Sequence, residues 1–63
     1  MSVAENIRAR REKAGITQTQ LADAVAVSQV TICKIENGLK VPSLPLSMAI
    51  AKVLECTLDE LTK

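Results

Sequence analysis

The run from Ala14 to Gly38 constrains this chain more than any other feature. Thr17 opens a first helical segment, with Gln20 three positions on, the spacing at which two side chains cap each other's backbone N–H groups. Leu21, Ala22 and Val25 give that segment one apolar face. Ser28 opens a second segment, because a hydroxyl oxygen accepts from the unpaired N–H groups of a first helical turn. Ile32 and Ile35 mark its inner side, and Asn37-Gly38 supplies a stop. The stretch reads as two short helices joined by a tight turn, the second apolar on one side and polar on the other.

The rest of the chain follows the same grammar. Ser2 with Glu5 starts a helix that runs to about Lys13, where Gly15 ends it. Ser43 starts another, with Pro45 tolerated in its first turn, running to about Leu54. Thr57 with Glu60 opens a short last helix carrying Leu58 and Leu61. No strand pattern appears. Residues 1–63 are expected to form one unit, an all-α compact five-helix bundle. The chain is 48% apolar with no Phe, Tyr or Trp, so the core must be aliphatic, which suits a small bundle.

Placed on a wheel at about 100° per residue, Ile32 and Ile35 fix the buried side of the third helix. Val30, Cys33, Lys34 and Asn37 then point outward, with Gln29 and Thr31 on the flanks. An amide, a hydroxyl, a small apolar group and an ammonium match the donors, acceptors and thymine methyls of the DNA major groove. A merely solvated face is also polar. Against that, Val30 and Cys33 suit water poorly, and no acid occurs before Glu36 at the border. Gln18 sits at the start of the second helix, where free N–H groups favour a phosphate, and otherwise is a plain surface residue. Asn37 and Lys40 follow the third helix and are placed to hold a duplex backbone; their alternative roles are helix termination and solubility.

Formal net charge is only +1. It is distributed unevenly: residues 1–40 are net basic and residues 41–63 net acidic, with three arginines and a lysine between Arg8 and Lys13. On charge alone that cluster is an ordinary solvated helix face. No run approaches the roughly 18 apolar residues of a membrane span, and the N-terminal residues do not read as a signal peptide. Cys56 fits a core position and Cys33 an exposed one, so the expectation is free thiols in a cytoplasmic protein. Without His, a carboxylate pair in a pocket, a glycine-rich phosphate loop or a metal-ligand cluster, no catalytic, cofactor or metal site is expected. Cys33 beside Lys34 is the sole candidate nucleophile or redox group, and no base accompanies it.

The motifs Ile7-Arg8-x-x-Arg11, Gly15-Ile16-Thr17-Gln18-x-x-Leu21-Ala22, Val27-Ser28-x-x-x-Ile32-x-x-Ile35-Glu36-Asn37-Gly38, Pro42-Ser43-Leu44, Ile50-Ala51-Lys52-x-Leu54 and Leu58-Asp59-Glu60-Leu61 carry a resemblance. Over residues 3–61 the chain resembles the phage repressor and Cro family of helix-turn-helix transcription regulators. The resemblance implies that the third helix enters the major groove, with Gln29, Val30 and Lys34 as base readers beside Thr31. It implies phosphate contacts from Gln18 and Asn37, with Lys40 adjoining. It also implies an ion pair between Arg11 and Glu36, partly buried, in which Arg11 still offers N–H groups to a phosphate.

Four features depart from that pattern. Ala26 stands where a glycine usually closes the second helix, so the backbone there is either left-handed at a cost or differently turned. Glu55 likewise replaces a glycine. Ser47 sits in the middle of the apolar stripe of the fourth helix, where leucine is usual. No arginine occupies residues 39–43, which argues against a minor-groove arm from that loop.

Leu46, Ile50 and Val53 spread toward one edge, and Leu39, Val41 and Leu58 extend the patch. The expectation is a weak homodimer built on it, reading double-stranded DNA at a palindromic operator as a repressor. On the other reading, Leu46 and Ile50 simply close the core. The alternative functions are an antitoxin-type DNA-binding partner of a small toxin, and a protein-interaction adaptor that retains the fold.

Overall fold

Five hydroxyl side chains begin the five helices found among the described residues. The computed structural model describes residues 2–62. Its elements are α1 (Val3–Lys13), α2 (Gln18–Ala24), α3 (Gln29–Glu36), α4 (Leu44–Val53) and α5 (Leu58–Thr62), with no strand among the described residues. Oγ of Ser2, Ser28 and Ser43 accepts from the backbone N–H of Glu5, Thr31 and Leu46. Oγ1 of Thr17 and Thr57 accepts from Gln20 and Glu60 in the same way, each at 3.0 Å. Glu5, Gln20 and Glu60 reach back to the backbone N–H of Ser2, Thr17 and Thr57. Each reciprocal pair satisfies two N–H groups that a helix start leaves without a partner.

The ends of α1 to α4 share one device. The first residue past the cap donates to the carbonyl three positions back, and the next residue to the carbonyl five positions back: Ala26 N–H to Asp23 O and Val27 N–H to Ala22 O close α2. Gly15 with Ile16, Gly38 with Leu39, and Glu55 with Cys56 repeat the pattern. It requires a left-handed residue at the first of the two positions. Gly15 and Gly38 adopt it at φ 75°, but Ala26 and Glu55 also adopt it, at φ 59° and 55°. The departures at Ala26 and Glu55 thus leave the turn type unchanged and put a Cβ where a glycine carries none.

The buried core is Ile7, Leu21, Ala22, Ile32, Ile35, Ile50, Ala51, Leu54 and Leu61, drawing on every helix. In α4 the inward row is Ser47, Ile50, Ala51 and Leu54, at the i, i+3, i+4, i+7 spacing of one helical face. This corrects the expected apolar edge. Ile50 is 0% exposed and belongs to the core. Leu46 and Val53 are half-buried and pack against that core, and Leu58 is half-buried. Leu39 and Val41 do stand out, 76% and 89% exposed, joined by Leu44 and Met48. Cys33 and Cys56 are both free and both half-buried, so Cys33 is less open than its wheel position implied. Among the described residues no helix is long and apolar enough to cross a membrane.

Candidate nucleic-acid interface

The tight turn from Val25 to Ser28 sets α2 and α3 against each other over Leu21, Ala22, Ile32 and Ile35. That packing turns the opposite side of α3 outward. Gln29, Val30, Lys34 and Asn37 are exposed there, and Thr31 and Cys33 are half-buried on the flanks. Val30 is 57% exposed, a large apolar group facing solvent on a helix whose two isoleucines are buried. Thr31 Oγ1 and Ser28 Oγ are 2.9 Å apart, and Asn37 Nδ2 donates to Cys33 Sγ at 3.4 Å. Lys40 is exposed just beyond the helix.

Behind this face runs a chain of polar side chains. Arg11 on α1 grips Glu36 on α3 with two hydrogen bonds, Nε to Oε2 at 2.7 Å and Nη2 to Oε1 at 3.1 Å. Arg11 Nη1 donates to the carbonyl of Ile16 at 2.8 Å. The side chains are 11% and 1% exposed. A planar guanidinium suits this two-point contact, and a carboxylate removed from water needs it. These hydrogen bonds hold the Arg11 proton more tightly than usual, outweighing the opposing effect of burial.

The chain continues outward. Gln18 Nε2 donates to Glu36 Oε1 at 3.1 Å, and Gln29 Nε2 donates to Gln18 Oε1 at 2.8 Å. Gln18 is therefore half-buried and tied at both ends of its amide rather than loose at the start of α2. Sequence reasoning missed these two links. It also missed Leu44 and Met48, although their i, i+4 spacing lies outside the inward row of α4.

The basic cluster of α1 is largely engaged elsewhere. Arg8 pairs with Glu12 at 3.8 Å, and Arg10 with Glu60 on α5 at 3.6 Å. The first pair is exposed and the second partly so, and such solvated pairs contribute little to stability. Glu36, the sole acid on α3, is neutralised internally, so the exposed face of that helix carries Lys34 and no negative charge. Among the described residues no group of three or more His, Cys, Asp or Glu side chains is arranged to hold a metal ion.

The family model for the helix-turn-helix matches residues 7–61. This chain belongs to the helix-turn-helix family, of the phage repressor and Cro type. It is 44% identical over 48 residues to a helix-turn-helix-type transcriptional regulator of Methanothermobacter thermautotrophicus, covering 76% of this chain and 70% of the relative. It is 41% identical over 59 residues to repressor protein C2 of Salmonella phage P22, covering 94% of this chain and 27% of that repressor. A crystal structure of the P22 c2 repressor in complex with a synthetic operator matches with a TM-score of 0.95 at 38% identity, over 100% of this chain and 96% of that one. The helix-turn-helix unit here is α2 and α3, and the all-α bundle around it is that of the repressor's DNA-binding domain.

Proposed function

We propose that this chain is a sequence-specific, double-stranded-DNA-binding transcriptional regulator, a repressor that seats α3 in the major groove of a palindromic operator. The observation that carries the reading is the outward face of α3: Gln29, Val30 and Lys34 stand exposed on it, while its one acid is buried against Arg11. Such a face meets base edges without repelling phosphate. Gln29, Val30, Thr31 and Lys34 read bases. Gln18, Asn37 and Lys40 hold phosphates, and Arg11 adds to them with the N–H groups its internal bonds leave over. The 63 residues act as one DNA-binding unit, without metal, cofactor or enzymatic activity, in the cytoplasm.

One unit reads a short half-site, so a weak homodimer forms on DNA, two copies spanning half-sites about one turn apart. Its edge is Leu39 and Val41 with Leu44 and Met48, the large apolar side chains most open to solvent outside α3.

Selection from random-sequence duplexes with purified protein tests the reading. Gln29→Ala and Lys34→Ala should each relax preference at particular base pairs by about 1–3 kcal/mol. Lys40→Ala should weaken all sequences alike, and affinity should fall steeply as salt rises. Variants at Gln29 and Lys34 that select the parent's site would refute it.

A further inference from the structure

We propose that Glu36 is a positioning residue for base specificity, acting through Gln18 to fix which way round the Gln29 amide faces. The inference rests on the reading of α3 given above. A carboxylate can only accept hydrogen bonds. Glu36 Oε1 therefore demands an N–H from Gln18, which it receives at 3.1 Å. The Gln18 carbonyl oxygen must then point the other way, toward α3. It in turn demands an N–H from Gln29, received at 2.8 Å. Polarity set by one buried charge passes through two amides to the protein surface.

The consequence lies in what Gln29 has left. One of its two N–H groups is committed to Gln18, so it offers a base one N–H and one carbonyl oxygen, held in a fixed order. Adenine presents an acceptor at N7 beside a donor at N6, which complements that pair. Guanine presents two acceptors, N7 and O6, and the Gln29 carbonyl would face one of them. A Gln29 released from Gln18 has both N–H groups free and accommodates guanine far better. Glu36 thus favours adenine over guanine at the base pair under Gln29 without touching DNA itself. Arg11 keeps the device in place by gripping both carboxylate oxygens, Oε2 at 2.7 Å and, alongside Gln18, Oε1 at 3.1 Å.

Gln18→Met tests this, because methionine fills a similar space and leaves the Arg11–Glu36 pair intact. The readout is the ratio of affinities for an operator with adenine at the Gln29 position and the same operator with guanine. Loss of a Gln18 phosphate contact weakens both duplexes equally and cancels. The parent's preference, about tenfold for a good two-point contact, should drop by about threefold or more, with preferences at other positions unchanged. In the DNA-free protein, the bonded side-chain N–H of Gln29 should lose its distinct NMR shift in the same variant. Glu36→Gln, measured at low temperature with its helical circular dichroism verified, should show the same drop although Gln18 is present. A Gln18→Met or folded Glu36→Gln protein that keeps the parent's ratio overturns the proposal. Gln29→Ala separates the two layers. If it leaves the selected site unchanged, the placement of α3 fails and this proposal with it. If Gln29→Ala relaxes the base pair and Gln18→Met does not, the relay alone fails.

Discussion

Ala26 is exposed and sits at φ 59°, in the left-handed region that an L-residue enters only at a cost of about 1–2 kcal/mol. Replacing it with glycine removes that cost. Glycine also frees the unfolded chain, which takes back about 0.4–1 kcal/mol. No packing is lost, since the methyl group faces solvent, and the two backbone bonds that close α2 need no side chain. The net expected gain is about 0.5–1 kcal/mol, or roughly 2–8 °C in Tm for a domain of this size. Thermal and urea unfolding followed by circular dichroism measure it. Ala9→Gly is the matched control: Ala9 is exposed inside α1, where the same chemical change should lower stability by about 0.5–1 kcal/mol. Opposite signs for one substitution at two sites would establish that backbone conformation decides. A melting temperature unchanged or lowered by Ala26→Gly would refute the reasoning.

Other outcomes follow from the same geometry. Glu36→Ala leaves the Arg11 guanidinium buried with only the Ile16 carbonyl, and should cost about 3 kcal/mol or more in urea unfolding. Ile50→Ala should cost about 2–5 kcal/mol, as a core deletion does. Val41→Asp should leave the melting temperature near the parent's and yet abolish the dimer in sedimentation with operator duplex; a dimer that survives it would move the interface elsewhere. Glu5 titrates below its ordinary 4.5, because the Ser2 backbone N–H and then its hydroxyl bond the carboxylate. A carboxylate with a lowered folded value adds stability above its unfolded pKa and loses it as pH falls through the folded one. The first turn of α1 should therefore fray below about pH 4.5 and not above it. An NMR titration placing Glu5 at or above its ordinary value would contradict this.

The helix starts were legible because a cap is a local event: a hydroxyl and its N–H partner lie three residues apart, so Ser2, Thr17, Ser28, Ser43 and Thr57 announce themselves. The ends of α2 and α4 were less so, since Ala26 and Glu55 take a glycine's conformation with no side-chain sign of it. α4 misled for a different reason. Around Ser47 nearly every residue is apolar, so Leu46-Ile50-Val53 and Ser47-Ile50-Ala51-Leu54 are both plausible faces, and only packing against the other helices chooses between them. At the interface, the outward residues of α3 follow from its periodicity. The bonds from Gln18 to Glu36 and from Gln29 to Gln18 join residues on different helices, so no spacing along the chain predicts them.

The account turns on α3 meeting the duplex, and an amide chemical-shift titration with the selected operator tests that most directly. Shifts should concentrate at Gln18, along residues 28–37 and at Lys40, and leave the buried row of α4 nearly unmoved. Shifts centred on Leu44, Met48 and α5, with residues 29–37 undisturbed at saturation, would contradict it.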